Sequence, residues 1–207
     1  MQAFPTDRQA LVRLGLGVVL VGVLVWTLPQ QRPGDSGAHP APRPVTLDPF
    51  ERAGVTELQQ GQRGPGFRLA FMDGRVATLD DWRDHLVVLN FWATWCQPCT
   101  VEMPALEALW KRYRDRGLVV VGVSVDRGAP RGVLDPYLRK LDLTFPILLD
   151  PELETARAWR VTALPATFII RPGGEVAGIA VGAREWAGAE MTSLLETMLP
   201  GPRHAVR

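Results

Sequence analysis

The chain is poor in the side chains that most often announce chemistry. Two cysteines, two lysines and three histidines are spread over 207 residues. His39, His85 and His204 lie far apart, so with only Cys96 and Cys99 beside them a four-ligand zinc site could form only between chains. A surplus of one charge is missing as well. The 23 basic residues against 22 acidic ones leave a net charge of +1, which argues against an electrostatic nucleic-acid binder. No repeat is present, and the near-absence of lysine beyond Lys111 and Lys140 carries no functional reading.

Long apolar runs, by contrast, are present. Residues 11–28, LVRLGLGVVLVGVLVWTL, are apolar apart from Arg13 and are about long enough, at ~1.5 Å per residue, to cross a bilayer core. Pro29, Gln30, Gln31 and Arg32 follow where a cleavable signal would place a small-x-small site. The segment is therefore expected to be an uncleaved anchor behind a short tail, 1–10, with a cleaved signal peptide as the competing reading. Arg8 and Arg13 before it and Arg32 and Arg43 after it bias its orientation only slightly. The commoner arrangement is adopted: inner membrane, single pass, with the bulk of the chain facing the periplasm or cell exterior. Residues 29–61, rich in Pro, Gly, Ser and Gln, read as a linker with an r.m.s. reach of roughly 30 Å. Within it FERAGVTELQQ, from Phe50, has the makings of a short helix. A folded domain over 62–201 and a tail over 202–207 complete the chain.

Inside that domain, RLAFMDGRVATL (68–79) places Asp73-Gly74 between two strand-like runs and predicts a hairpin. LVVLNFW (86–92) is a continuous apolar run of the kind buried on both faces of a sheet. A helix is predicted from Cys96 to about Arg116, then a strand ending at Asp126, a helix over 133–141, a strand over 145–150 and a short helix over 153–159. A strand ending at Ile170, a turn at Pro172-Gly173-Gly174, a strand to Gly182 and a last helix over 185–199 follow. This order predicts an α/β fold with a central mixed sheet flanked by helices.

Both cysteines fall in WCQPC, between that buried strand and its helix. Haem attachment needs a histidine directly after the second cysteine, and Thr100 stands there. A purely structural bridge across two residues closes too small a loop to constrain the unfolded chain much. The position of the CxxC, directly after a strand, strengthens the redox-dithiol reading over these. A helix that begins at Cys96 aims its unpaired N–H groups and positive dipole end at that sulfur, favouring thiolate there. Cys96 is then the nucleophile, and Cys99, one turn inward, attacks once a mixed disulfide has formed on Cys96. Pro98 falls in the first turn, where its missing N–H costs little. Glu102 shares the otherwise apolar face of Cys99, Leu106, Leu109 and Tyr113; a helical glutamate is ordinarily a solvated charge. Trp95, next to the nucleophile, is expected to shape the surface that meets a substrate.

The runs VVLNFWATWCQPC and VEMP, together with TALPATF, resemble the thioredoxin superfamily and, within it, the membrane-anchored TlpA/ResA group of thiol-disulfide oxidoreductases. The resemblance covers roughly residues 64–200. It implies a thioredoxin-like fold, a redox-active disulfide Cys96–Cys99 with no further cofactor, and a cis-proline at Pro165 facing the dithiol. The residue before it, Leu164, would then pair its backbone with a substrate chain. The group's pattern CxxCxxExP reads here as Cys96, Cys99, Glu102 and Pro104. Thioredoxins proper carry a buried Asp where Asn90 stands, so the ionisable role passes to Glu102, which would take the proton from Cys99 and return it.

The implied function is reduction of disulfides in other proteins, with apocytochrome c or a copper-delivery protein as client and a membrane electron donor to restore the dithiol. A thiol oxidase would use the same residues. A peroxidase would need Thr or Ser three residues before its reactive cysteine, where Ala93 stands. A non-catalytic Cu(I) carrier is the binding-protein alternative, weakened here because no Met or His stands directly beside the CxxC.

Overall fold

The computed structural model describes residues 47–128 and 130–201. The anchor expected at 11–28, the tails 1–10 and 202–207 and most of the linker lie outside them. Among the described residues no helix is long and apolar enough to cross a membrane.

One eight-stranded mixed sheet forms the domain, in the order β1-β8-β7-β4-β5-β6-β2-β3. Its strands are β1 (Thr56–Glu57), β2 (Arg68–Phe71), β3 (Val76–Thr78), β4 (Leu86–Trp92), β5 (Leu118–Ser124), β6 (Ile147–Leu149), β7 (Ala166–Ile170) and β8 (Val176–Val181). The helices are α1 (Pro49–Arg52), α2 (Gln97–Tyr113), α3 (Pro130–Lys140), α4 (Glu154–Ala158) and α5 (Ala189–Glu196). This is the expected α/β arrangement.

The continuous apolar run becomes β4, paired in parallel with β5 and antiparallel with β7, and every one of its residues is buried. Because side chains alternate between faces, Asn90 meets α2 while Phe91 packs against Phe168 and Trp159 on the other face. Gly122 in β5 fits this crowding. A Cβ there would stand 2.8 Å from Ile147 Cδ1 and 2.9 Å from Trp92 Nε1.

The domain starts earlier than the predicted residue 62. Residues 47–61 belong to it: Asp48 caps α1, and β1 pairs with β8 through Thr56↔Ile179 and Glu57↔Gly178. Phe50 and Val55 fill the core beneath. Two strand residues with exposed side chains offer no period to read, so the stretch has a linker's composition and a sheet edge's structure. The last helix is also corrected, from 185–199 to Ala189–Glu196. Ahead of it, the Arg184 N–H and the Trp186 indole N–H donate to Glu102.

Candidate functional site: a dithiol at the end of the central strand

The end of β4 delivers the chain through Ala93, Thr94 and Trp95 to Cys96, which caps α2. Cys96 and Cys99 form a disulfide, S–S 2.09 Å. The Cys99 N–H donates toward Cys96 Sγ at 3.3 Å, so a first-turn amide of the helix does point at that sulfur. Cys96, 6% exposed, borders a cavity, whereas Cys99 is fully buried. Pro98 occupies the first turn and Pro104 the helix interior, as expected.

Glu102 is buried, not solvated, at 2% exposure. Asn90 Nδ2 donates to its Oε1 at 2.8 Å, and Trp186 Nε1 and the Arg184 N–H donate to Oε2 at 2.9 and 3.1 Å. Burial raises its pKa above the ordinary glutamate value, and the three hydrogen bonds offset that only in part. Asn90 also donates to Thr167 Oγ1 at 2.8 Å, and its own Oδ1 has no partner among the described residues. Cys99 and Glu102, three apart on one helix face, are neighbours. The arrangement therefore sets a raised carboxyl beside the buried sulfur.

Trp95 is 71% exposed. It shares a cavity of about 940 Å³ with Cys96, Pro98, Asp126, Val161 and Leu164. The Leu164–Pro165 bond is cis, and Pro165 is buried behind Leu164. The Pro165 carbonyl accepts from Gly182 N–H, while among the described residues neither backbone group of Leu164 has a hydrogen-bond partner. All six site residues expected from the sequence thus gather at one end of the sheet.

Three contributors were not expected. Arg184 and Trp186 stand more than eighty residues from Glu102; the one signal in sequence was an indole N–H that needs a partner when buried. Asp126, predicted only as a strand end, accepts from Thr94 N–H (3.0 and 3.2 Å), Thr94 Oγ1 (2.7 Å) and Ser124 Oγ (2.9 Å). It thereby pins the loop two residues before Cys96. Trp186→Phe should remove one of the bonds that favour ionised Glu102, raising its pKa further. The loss of stability, about 1–3 kcal/mol, should be greater at pH 8 than at pH 5 in urea unfolding. Equal losses would mean that the indole does not bear on the charge of Glu102.

Residues 60–179 match the model of the AhpC/TSA family. The chain belongs to this family. Among AhpC/TSA-like relatives, thiol-disulfide oxidoreductase ResA of Geobacillus thermodenitrificans is 37% identical over 127 residues, 61% of this chain and 72% of that protein. ResA of Bacillus subtilis is 32% identical over 130 residues, 63% and 72% of the two chains. A solved Chlorobium tepidum structure, a candidate thiol:disulfide interchange protein DsbE, superimposes with a TM-score of 0.59 at 31% identity, covering 67% of this chain and 94% of the other. With these likenesses and the Cys96–Cys99 pair, this AhpC/TSA member is a thioredoxin-like thiol-disulfide oxidoreductase.

Proposed function

We propose that the protein is a membrane-tethered reductase of disulfides in other proteins outside the cytoplasm. The observation that carries this reading is the asymmetry of the pair. Cys96 borders an open cavity beside the unpaired backbone of Leu164, and Cys99 is sealed behind it near Glu102.

In the reduced protein the Cys96 thiolate attacks one sulfur of a client disulfide, forming a Cys96–client bond and expelling the client's other sulfur as thiolate. The Leu164 N–H and C=O hold the client chain in an extended pairing, and Trp95 packs against it. Cys99 then passes its proton to Glu102 and attacks Cys96 Sγ. The Cys96–client bond breaks, the client leaves as a second thiolate, and the Cys96–Cys99 disulfide forms. Two electrons have moved from the dithiol to the client. A membrane electron donor restores the dithiol, with Glu102 returning the proton to Cys99. The apolar segment at 11–28 supports the tether, and the TlpA/ResA-like motifs support apocytochrome c or a copper-delivery protein as client.

Cys99→Ser stops the cycle at the mixed disulfide. Expressed as the full chain in membranes, it should accumulate thiol-sensitive adducts that contain cytochrome or copper-binding polypeptides. Adding Cys96→Ser should abolish them. No adduct from Cys99→Ser would refute the reading, and a reduction potential near that of a strong oxidant, about −120 mV, would reverse the direction of flow.

A further inference from the structure

At the end of the sheet opposite the dithiol lies a second cavity, of about 620 Å³, lined in part by Arg63, Arg68, Arg83 and Arg171. Val87 at the start of β4 and Ile170 at the end of β7 are part of its wall, and these two residues pair across the sheet. The length of β4, about 3.3 Å per residue, thus separates this cavity from Cys96 by roughly 20 Å.

The arginines come from three separate segments. Arg63 and Arg68 flank the entry into β2, Arg83 precedes β4, and Arg171 opens the turn between β7 and β8. The Gly173 N–H donates to the Arg83 carbonyl at 2.6 Å, which ties two of these segments together. Among the described residues Asp80 is the one carboxylate on the wall, and Glu175 is held by Arg171 at 3.0 Å. Among the described residues Arg63, Arg68 and Arg83 form no ion pair and no side-chain hydrogen bond. In a chain whose charges otherwise balance, the cavity keeps a net positive charge even with Glu175 counted.

We infer that this cavity binds a phosphate-bearing anion. Guanidinium groups present planar forks of donors that match phosphate oxygens, and several of them can share one tetrahedral ion. Phe67 and Trp82, in tilted contact at 6.4 Å, add an aromatic wall against which the organic part of a phosphoester can pack. A free phosphate compound and a phospholipid headgroup share this chemistry. If a headgroup fills the site, the bilayer holds the domain by one end and the dithiol faces away from it.

The test is calorimetric titration of the full chain, in uncharged detergent at about 0.15 M salt, with inorganic phosphate and, separately, with glycerophosphoglycerol, a soluble headgroup without acyl chains. At least one should bind saturably at one site per chain. Arg68→Gln with Arg83→Gln should weaken that binding about tenfold or more, whereas Arg131→Gln with Arg139→Gln, an equal loss of charge elsewhere, should not. Both double variants should keep the disulfide-reduction rate of the parent, which also shows that they fold. Tighter binding of glycerophosphoglycerol assigns the site to a headgroup, and tighter binding of phosphate to a free phosphate compound. Saturable binding of neither probe, or equal weakening by the two double variants, overturns the inference.

Discussion

Glu102→Gln should slow disulfide exchange about a hundredfold near pH 7, within the range general acid–base groups supply, while leaving the fold as stable as before or more so. The carboxamide fits the site of the carboxylate. Its oxygen can accept from Arg184 and Trp186, and a half-turn of the Asn90 carboxamide offers the unpartnered Oδ1 both to the new amide and to the Thr167 hydroxyl. What disappears is the proton. Burial raises the folded-state pKa of Glu102 above the ~4.3 of an unfolded chain, so the folded state binds a proton more tightly. Its contribution to stability is full below about pH 4 and is lost as pH rises through the folded-state value. Urea unfolding of the parent should show that decline, and the glutamine variant should flatten it. A parent-like exchange rate together with a parent-like pH profile would return Glu102 to a passive role.

Asp126→Ala should do damage of a different kind. Its carboxylate satisfies the Thr94 N–H, the Thr94 hydroxyl and the Ser124 hydroxyl in a buried place, and alanine satisfies none of them. The stranded donors should cost about 2–3 kcal/mol. Freed of this anchor, the Ala93–Trp95 loop no longer fixes Cys96 against the cavity, and exchange with protein substrates should fall about tenfold or more. Asp126→Asn keeps an acceptor for Thr94 and should cost much less on both counts. If the alanine variant matches the parent in unfolding midpoint and rate, the pin is dispensable.

The parts of this site that were legible in the sequence are those written over short distances. The apolar run 86–92, the two cysteines after it and Glu102 on the face of Cys99 all sit within one strand–helix unit, where alternation and helical period translate directly into position. Pro165 and Leu164 were reached through the family resemblance, since nothing local tells a site proline from a loop proline. What escaped was set by tertiary contact. Trp186 hid within, and Arg184 just before, a stretch that reads as a helix start, because a buried carboxylate can take N–H groups that a helix would otherwise use or leave to water. Asp126 looked like the polar stop at a strand end. β1 was invisible because a two-residue edge strand borrows its stability from the neighbour it covers.

The seating of β4 between two ladders has a mechanical consequence. A mixed disulfide is a covalent tether, and a client that tugs on Cys96 loads the chain through Thr94 into Trp92. There the load is shared sideways, in parallel by β5 and antiparallel by β7, while Val125 N–H grips the Trp92 carbonyl at 2.9 Å. The sulfur that must hold a large, moving partner is thus moored to the middle of the sheet, and β1 and β3, which form its edges, can fray without slackening the line.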